Sequence, residues 1–120
     1  MSSASPTQTF IRNMFAAIDA RQFDDLPRFF HPEIVYSRPG FDPVHGLDAL
    51  DHFYRHVRII RSGAHRVDRL VADGAAAVAV GVFAGELRDG TATNEPFADA
   101  YEFRDGLVAE RRTFFFRPAI

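Results

Sequence analysis

The chain has 120 residues, 47% of them apolar and 25% charged, with a formal net charge of −2 and no cysteine. That length carries one hydrophobic core without a staple, and the composition excludes a disordered chain. The missing cysteine excludes disulfides, thiolate zinc sites and a thiol nucleophile, and arginines scattered among acidic residues offer no stripe to follow phosphates, so nucleic acid is not an expected partner.

Residues 1–8 are small and polar, without the basic start and apolar run of an export signal, and they read as a flexible tail before one domain over residues 9–120. No apolar run reaches membrane-spanning length, so the expectation is a cytoplasmic protein with no membrane partner. Pro6 suits a first helical turn, and Phe10, Ile11, Met14, Phe15 and Ile18 recur on one helical face. Asp24 and Asp25 precede Leu26, Phe29 and Phe30, which predicts a short second helix ending near His31-Pro32. Ile34, Val35 and Tyr36 then mark a strand over Glu33–Ser37, followed by a turn-rich loop through Pro39, Gly40, Asp42, Pro43 and Gly46.

From Leu47 the set Leu47, Leu50, Phe53, Tyr54, Val57 and Ile60 has helical spacing, with Asp48, Asp51, Arg55 and Arg58 opposite, predicting a third helix to about Ser62-Gly63. Beyond it the pattern becomes β-type, punctuated at Asp73-Gly74, Asp89-Gly90 and Asp105-Gly106, so four successive antiparallel strands are expected. The order predicts an α+β fold with helices covering one face of a mostly antiparallel sheet. Within Ala75–Gly85 both alternation sets are apolar: Ala77, Ala79, Gly81 and Phe83 on one face, Ala76, Val78, Val80 and Val82 on the other. A second copy of the chain is the simplest cover for the outer face, which makes a homodimer the expected partner state. Thirteen phenylalanines and no tryptophan mean that either the core or a pocket is aromatic.

Three segments, AAIDARQFDDLPRFFHPEIVYSRPG from Ala16, HGLDALDHFYRH from His45 and FADAYEFRDGLVAERRTFFF from Phe97, carry a resemblance over nearly the whole chain. It resembles the nuclear transport factor 2-like superfamily, in its SnoaL-like polyketide cyclase and ketosteroid isomerase branch. The resemblance implies a curved, mostly antiparallel sheet wrapped around N-terminal helices, a cone-shaped α+β barrel with an internal pocket. Set against ketosteroid isomerases, the acid that donates to the developing oxyanion falls on Asp99 and the supporting helical tyrosine on Tyr54. The tyrosine that shares the oxyanion hole falls on Met14, and the proton-shuttling aspartate falls near Arg38; neither can do that chemistry, so steroid isomerisation by that route is not expected unless Asp42 reaches inward.

Asp99 alternates with Phe97, Tyr101 and Phe103 on the face that should be buried. Desolvation there would favour a protonated carboxyl able to act as acid or base; the alternative is a structural pair with an arginine such as Arg111. Arg111, Thr113 and Phe115 share the set that resembles the family's pocket-lining face. His65, with Val67 as its alternation partner, can point inward and suits proton transfer, although a strand-end histidine making one backbone bond is equally ordinary. Arg38 can hold an anion at the pocket mouth or pair with Asp42 or Glu33; Glu95 is a second carboxyl candidate, with exposure expected near its strand start. His52 and His56 are four apart but lack the glutamate of a zincin helix, so no metal is expected.

These residues define the functional expectation. A cofactor-independent isomerase, cyclase or lyase would act by acid–base proton transfer on a small hydrophobic carbonyl compound, polyketide- or steroid-like. Asp99, His65, Arg38, Tyr54 and Arg111 would carry the chemistry, while Met14, Phe15, Ile18, Tyr36, Phe53, Val57, Phe83, Phe97, Tyr101, Thr113 and Phe115 enclose the substrate. The alternative is a non-catalytic small-molecule-binding or dimerisation module of the same fold.

Overall fold

A computed structural model describes residues 5–116. Helix α1 (Pro6–Asp19) opens with a capping box, in which the Ser5 side chain accepts from the Gln8 N–H and the Gln8 side chain accepts from the Ser5 N–H. The helix thus includes Pro6, Thr7 and Gln8 of the expected tail, whose first four residues lie outside the described ones. Ile11, Met14, Phe15, Ala17 and Ile18 form its buried stripe, and the Gln8 amide donates to the Leu70 carbonyl at 2.9 Å, tying the helix to the sheet.

The second helix is only a 3-10 turn over Phe23–Arg28, with Pro27 inside it. Proline cannot supply the N–H that a continuing α-helix needs, so Phe29 leaves the turn and Phe30, His31 and Pro32 already belong to β1 (Phe30–Ser37). The short β2 (Val44–His45) leads into α2 (Leu47–His52), and a π-turn over Phe53–Val57 ends the helix well before the expected Ser62-Gly63. Arg58 leaves helical geometry with ψ 128°, and Ile60 begins β3 instead of closing a helix.

The remaining strands are β3 (Ile60–Asp73), β4 (Ala76–Leu87), β5 (Ala92–Arg104) and β6 (Leu107–Phe115). All three Asp-Gly pairs fall at the hairpins between them, where Gly74, Gly90 and Gly106 take positive φ. One six-stranded sheet has the order β2-β1-β6-β5-β4-β3, antiparallel throughout except that β1 runs parallel to β6. This is the curved α+β sheet with N-terminal helices that the sequence predicted. Its concave face buries Ala77, Ala79, Phe83, Phe97, Tyr101 and Val108 against the stripe of α1. Among the described residues no helix is long and apolar enough to cross a membrane.

Candidate functional site

Strand register assembles the site on the concave face. Asp99 lies opposite Thr113 on β6 and Ala79 on β4, while Tyr101 and Tyr36 flank Arg111 from β5 and β1. Small Ala79 and Gly81 leave room on β4 for Asp99 and Phe97 to project inward. The cavity is lined by Tyr36, Arg38, Tyr54, Arg58, Ile60, His65, Phe83, Phe97, Asp99, Arg111, Thr113 and Phe115.

Asp99 is fully buried and both its oxygens are engaged. Thr113 Oγ1 donates to Oδ1 at 2.6 Å, and Oδ2 receives the Tyr101 hydroxyl at 2.7 Å and Arg111 Nε at 3.1 Å, with Arg111 Nη2 3.0 Å away. Arg111 Nη1 donates to the Tyr54 hydroxyl at 2.8 Å. The Tyr36 hydroxyl lies 3.0 Å from Thr113 Oγ1 and accepts from Arg38 Nη1 at 3.1 Å. Because Thr113 gives its single proton to Asp99, Tyr36 must be the donor to Thr113. The result is a directed chain, Arg38 to Tyr36 to Thr113 to Asp99.

These contacts set the phenols apart. Burial pushes the Tyr36 phenol up, but the Arg111 and Arg38 guanidiniums outweigh it and leave Tyr36 below the ordinary tyrosine value. Burial raises Tyr54, against a smaller opposing pull from Arg111, so Tyr54 keeps its proton. Its oxygen accepts from Arg111, and its own proton has no acceptor among the described residues. Burial and the Asp99 carboxylate hold Tyr101 well above the usual range. Asp99 also raises Arg111 against the cost of burial, so the pair is a fixed ionic floor.

His65 lies within β3 rather than at its start and meets the carboxylate of Asp19, the last residue of α1. Asp19 Oδ1 is 2.7 Å from His65 Nδ1, and Asp19 Oδ2 accepts from the His65 backbone N–H at 2.8 Å. Such a carboxylate holds the proton on Nδ1 and leaves the lone pair on Nε2. The ring is stacked on Phe15 at 4.5 Å and flanked by Phe83 and Phe97 at 4.8 and 5.4 Å. Burial keeps the imidazole below its ordinary pKa, with the Asp19 hydrogen bond pulling the other way, so the ring is neutral near pH 7.

Arg38 closes the cavity. It is 9% exposed, and its guanidinium carbon lies 5.0–5.8 Å from the ring centres of Phe53, Tyr36, Phe41 and Phe115. The enclosed space is about 10 Å³, room for about one water. Arg38 bonds to Tyr36 on the cavity side, while Glu33 pairs with Arg104.

Not every expected lining residue reaches the cavity. Met14 and Ile18 are buried in the core, Phe15 backs the site by stacking on His65 and lying 5.5 Å from the Arg111 guanidinium carbon, and Phe53 backs Arg38. Tyr101 acts through Asp99, and Val57 stands 42% exposed because the π-turn rotates it outward. Glu95 is 3% exposed, not solvated, and accepts from the Thr93 hydroxyl. His52 and His56 lie on an exposed face with ring centres 5.1 Å apart, and no group of metal-binding side chains occurs among the described residues.

Two residues escaped the sequence reading. Asp19 follows inward-facing Ile18 and stands four after Phe15, a spacing that could have placed it beside the site. Arg58 fell on the polar side of a regular helix; the π-turn adds a residue to that turn and buries Arg58 to 6% exposure, four after Tyr54.

The shape has many relatives. A protein of unknown function from Burkholderia pseudomallei, described as NTF2-like, aligns with TM-score 0.84 at 19% identity, covering 93% of this chain and 92% of that one. A putative SnoaL-like polyketide cyclase from Jannaschia sp. CCS1 aligns with TM-score 0.79 at 16% identity over 97% and 92% of the two chains. An epoxide hydrolase of M. tuberculosis aligns with TM-score 0.77 at 20% identity over 89% and 80%. Identities this low establish a shared fold and leave function open. No curated protein matches the chain in sequence. The sequence profile of the SnoaL-like domain matches residues 11–111, from the buried stripe of α1 to the arginine of the ionic floor, and the chain therefore belongs to the SnoaL-like domain family.

Proposed function

We propose that this chain is a cofactor-independent enzyme that moves a proton on a small, largely apolar carbonyl compound, as an isomerase, cyclase or lyase. The observation that carries the reading is the neutral His65, held by Asp19 in one tautomer on the wall of an aromatic cavity. His65 Nε2 takes a proton from carbon beside the carbonyl, and the negative charge passes to the carbonyl oxygen. The spare proton of Tyr54 and an N–H of Arg38 hold that oxygen, and the protonated imidazole returns its proton at another atom of the substrate. Asp99, with three hydrogen bonds and the Arg111 ion pair on its two oxygens, has no face left for a substrate and serves as the polar floor.

Deuterium exchange into an enolisable ketone, 2-tetralone first, followed by NMR, tests this. His65→Gln should lower protein-catalysed exchange by about a hundredfold or more, and Asp19→Asn by a smaller factor through loss of the tautomer. Equal exchange by His65→Gln and the wild type would remove the base from the proposal.

The closed cavity favours a second reading, a non-catalytic binding module, because Arg38 and its ring of aromatics fill the mouth. That reading gains if 2-tetralone neither raises the melting temperature nor exchanges. In either case we place a second copy against the outer sheet face, where Val71, Val78, Val80 and Phe114 are 65, 45, 43 and 51% exposed, and where Val78 and Phe114 line a groove of about 230 Å³. Sedimentation should find a dimer that Val80→Glu dissociates; a wild-type monomer would end that assignment.

A further inference from the structure

The ionic floor accounts for Arg111 but not for Arg58. Arg58 follows the π-turn, and its guanidinium lies against the faces of Tyr54 and Phe83, 5.2 and 5.7 Å from their centres. It lines the cavity at 6% exposure. Its Nε is buried without a hydrogen-bond partner, and no carboxylate among the described residues pairs with it. Asp99 is committed to Arg111, Asp19 to His65, and buried Glu95 lies outside the cavity lining. Burial lowers the Arg58 pKa, yet a guanidinium stays charged in a protein.

A buried charge with no counter-ion is among the most costly arrangements in a fold. A surface arginine in its place would be solvated, and an apolar residue would pack against Tyr54 and Phe83 at no electrostatic cost. Within the cavity lining the Asp99 carboxylate is held by Arg111 and His65 is neutral, so neither answers Arg58. The developing enolate of the proposed reaction is assigned to Tyr54 and Arg38, which leaves Arg58 unanswered. We infer that the substrate enters already carrying a carboxylate on an apolar ring system, and that Arg58 binds that carboxylate through its planar fork while the phenylalanines hold the ring. This rests on the pocket being the ligand site, as proposed above, and names the class of molecule it takes. For that molecule to enter, Arg38 must swing away from Phe53 and Phe41, because the closed cavity holds about one water.

The test compares 2-naphthoate with its uncharged analogue 2-naphthamide by calorimetry, on wild type, Arg58→Met and Arg58→Gln. Wild type should bind the acid about ten- to a hundredfold more tightly than the amide, the range of one charge-assisted hydrogen-bonded pair. Both variants should lose that preference while still binding the amide, and melting curves establish that each is folded; the two substitutions keep the result readable if one fails to fold. Equal wild-type affinity for acid and amide, or a preference that survives in both variants, overturns the anion assignment alone. If neither compound binds and 2-tetralone does not exchange, the ligand pocket itself falls along with it.

Discussion

Replacing Asp99 by asparagine keeps the side-chain shape and deletes the charge that answers Arg111. The pair is 0% and 4% exposed at the side chains, so water cannot solvate the arginine left behind. The new amide also turns N–H groups toward donors that need acceptors, since Thr113, Tyr101 and Arg111 all donate to Asp99. Breaking a buried pair from one side costs about 3–5 kcal/mol. A 120-residue domain unfolds with an entropy of about 0.25 kcal/mol/K, so the melting temperature should fall by about 12–20 °C. The chain has no tryptophan, so far-UV circular dichroism in a urea titration is the assay. The double variant Asp99→Leu with Arg111→Met removes both charges and should cost at least about 2 kcal/mol less than the two single changes summed. A loss below about 1 kcal/mol for Asp99→Asn, the scale of an exposed ion pair, would refute the ionic floor.

His65 gives a pH signature whose sign follows from its lowered pKa. The unfolded chain binds the extra proton first, so the stability is present above about pH 6.5 and is lost as pH falls toward the folded value. Urea melts across pH should show that loss in wild type and not in His65→Gln, and the acid limb of kcat/KM should lie below about 6.5. Tyr36→Phe leaves Thr113 and Arg38 without their shared partner and should cost about 1–3 kcal/mol in chemical denaturation. Ultraviolet titration of the wild type should find one phenol ionising below the ordinary tyrosine range, and its absence from Tyr36→Phe assigns it. At Gly63 a methyl group would collide with the Phe83 ring and the Ala84 carbonyl, so Gly63→Ala should destabilise by about 1–3 kcal/mol, and ring-current shifts at His65 by NMR should report the displaced Phe83.

Much of this protein was legible from local pattern. The stripe Phe10, Ile11, Met14, Phe15 and Ile18 specified α1 because helical period alone decides which side chains share a face. The three Asp-Gly pairs set the hairpins, and the alternation of β5 and β6 puts Asp99, Arg111 and Thr113 on one face. Where a second element decides the outcome, periodicity is silent. Pro27 and the π-turn shortened two helices, and with the second of them Arg58 moved from an expected solvent face into the cavity. Only the parallel pairing of β1 with β6 brought Tyr36 beside Arg111, and only the packing of α1 on β3 brought Asp19 to His65, 46 residues away. Local period decided which residues of α1, β5 and β6 face inward; tertiary structure decided the facing of the π-turn and which inward residues meet, because a hydrogen bond or ion pair is set by distances that chain spacing does not contain.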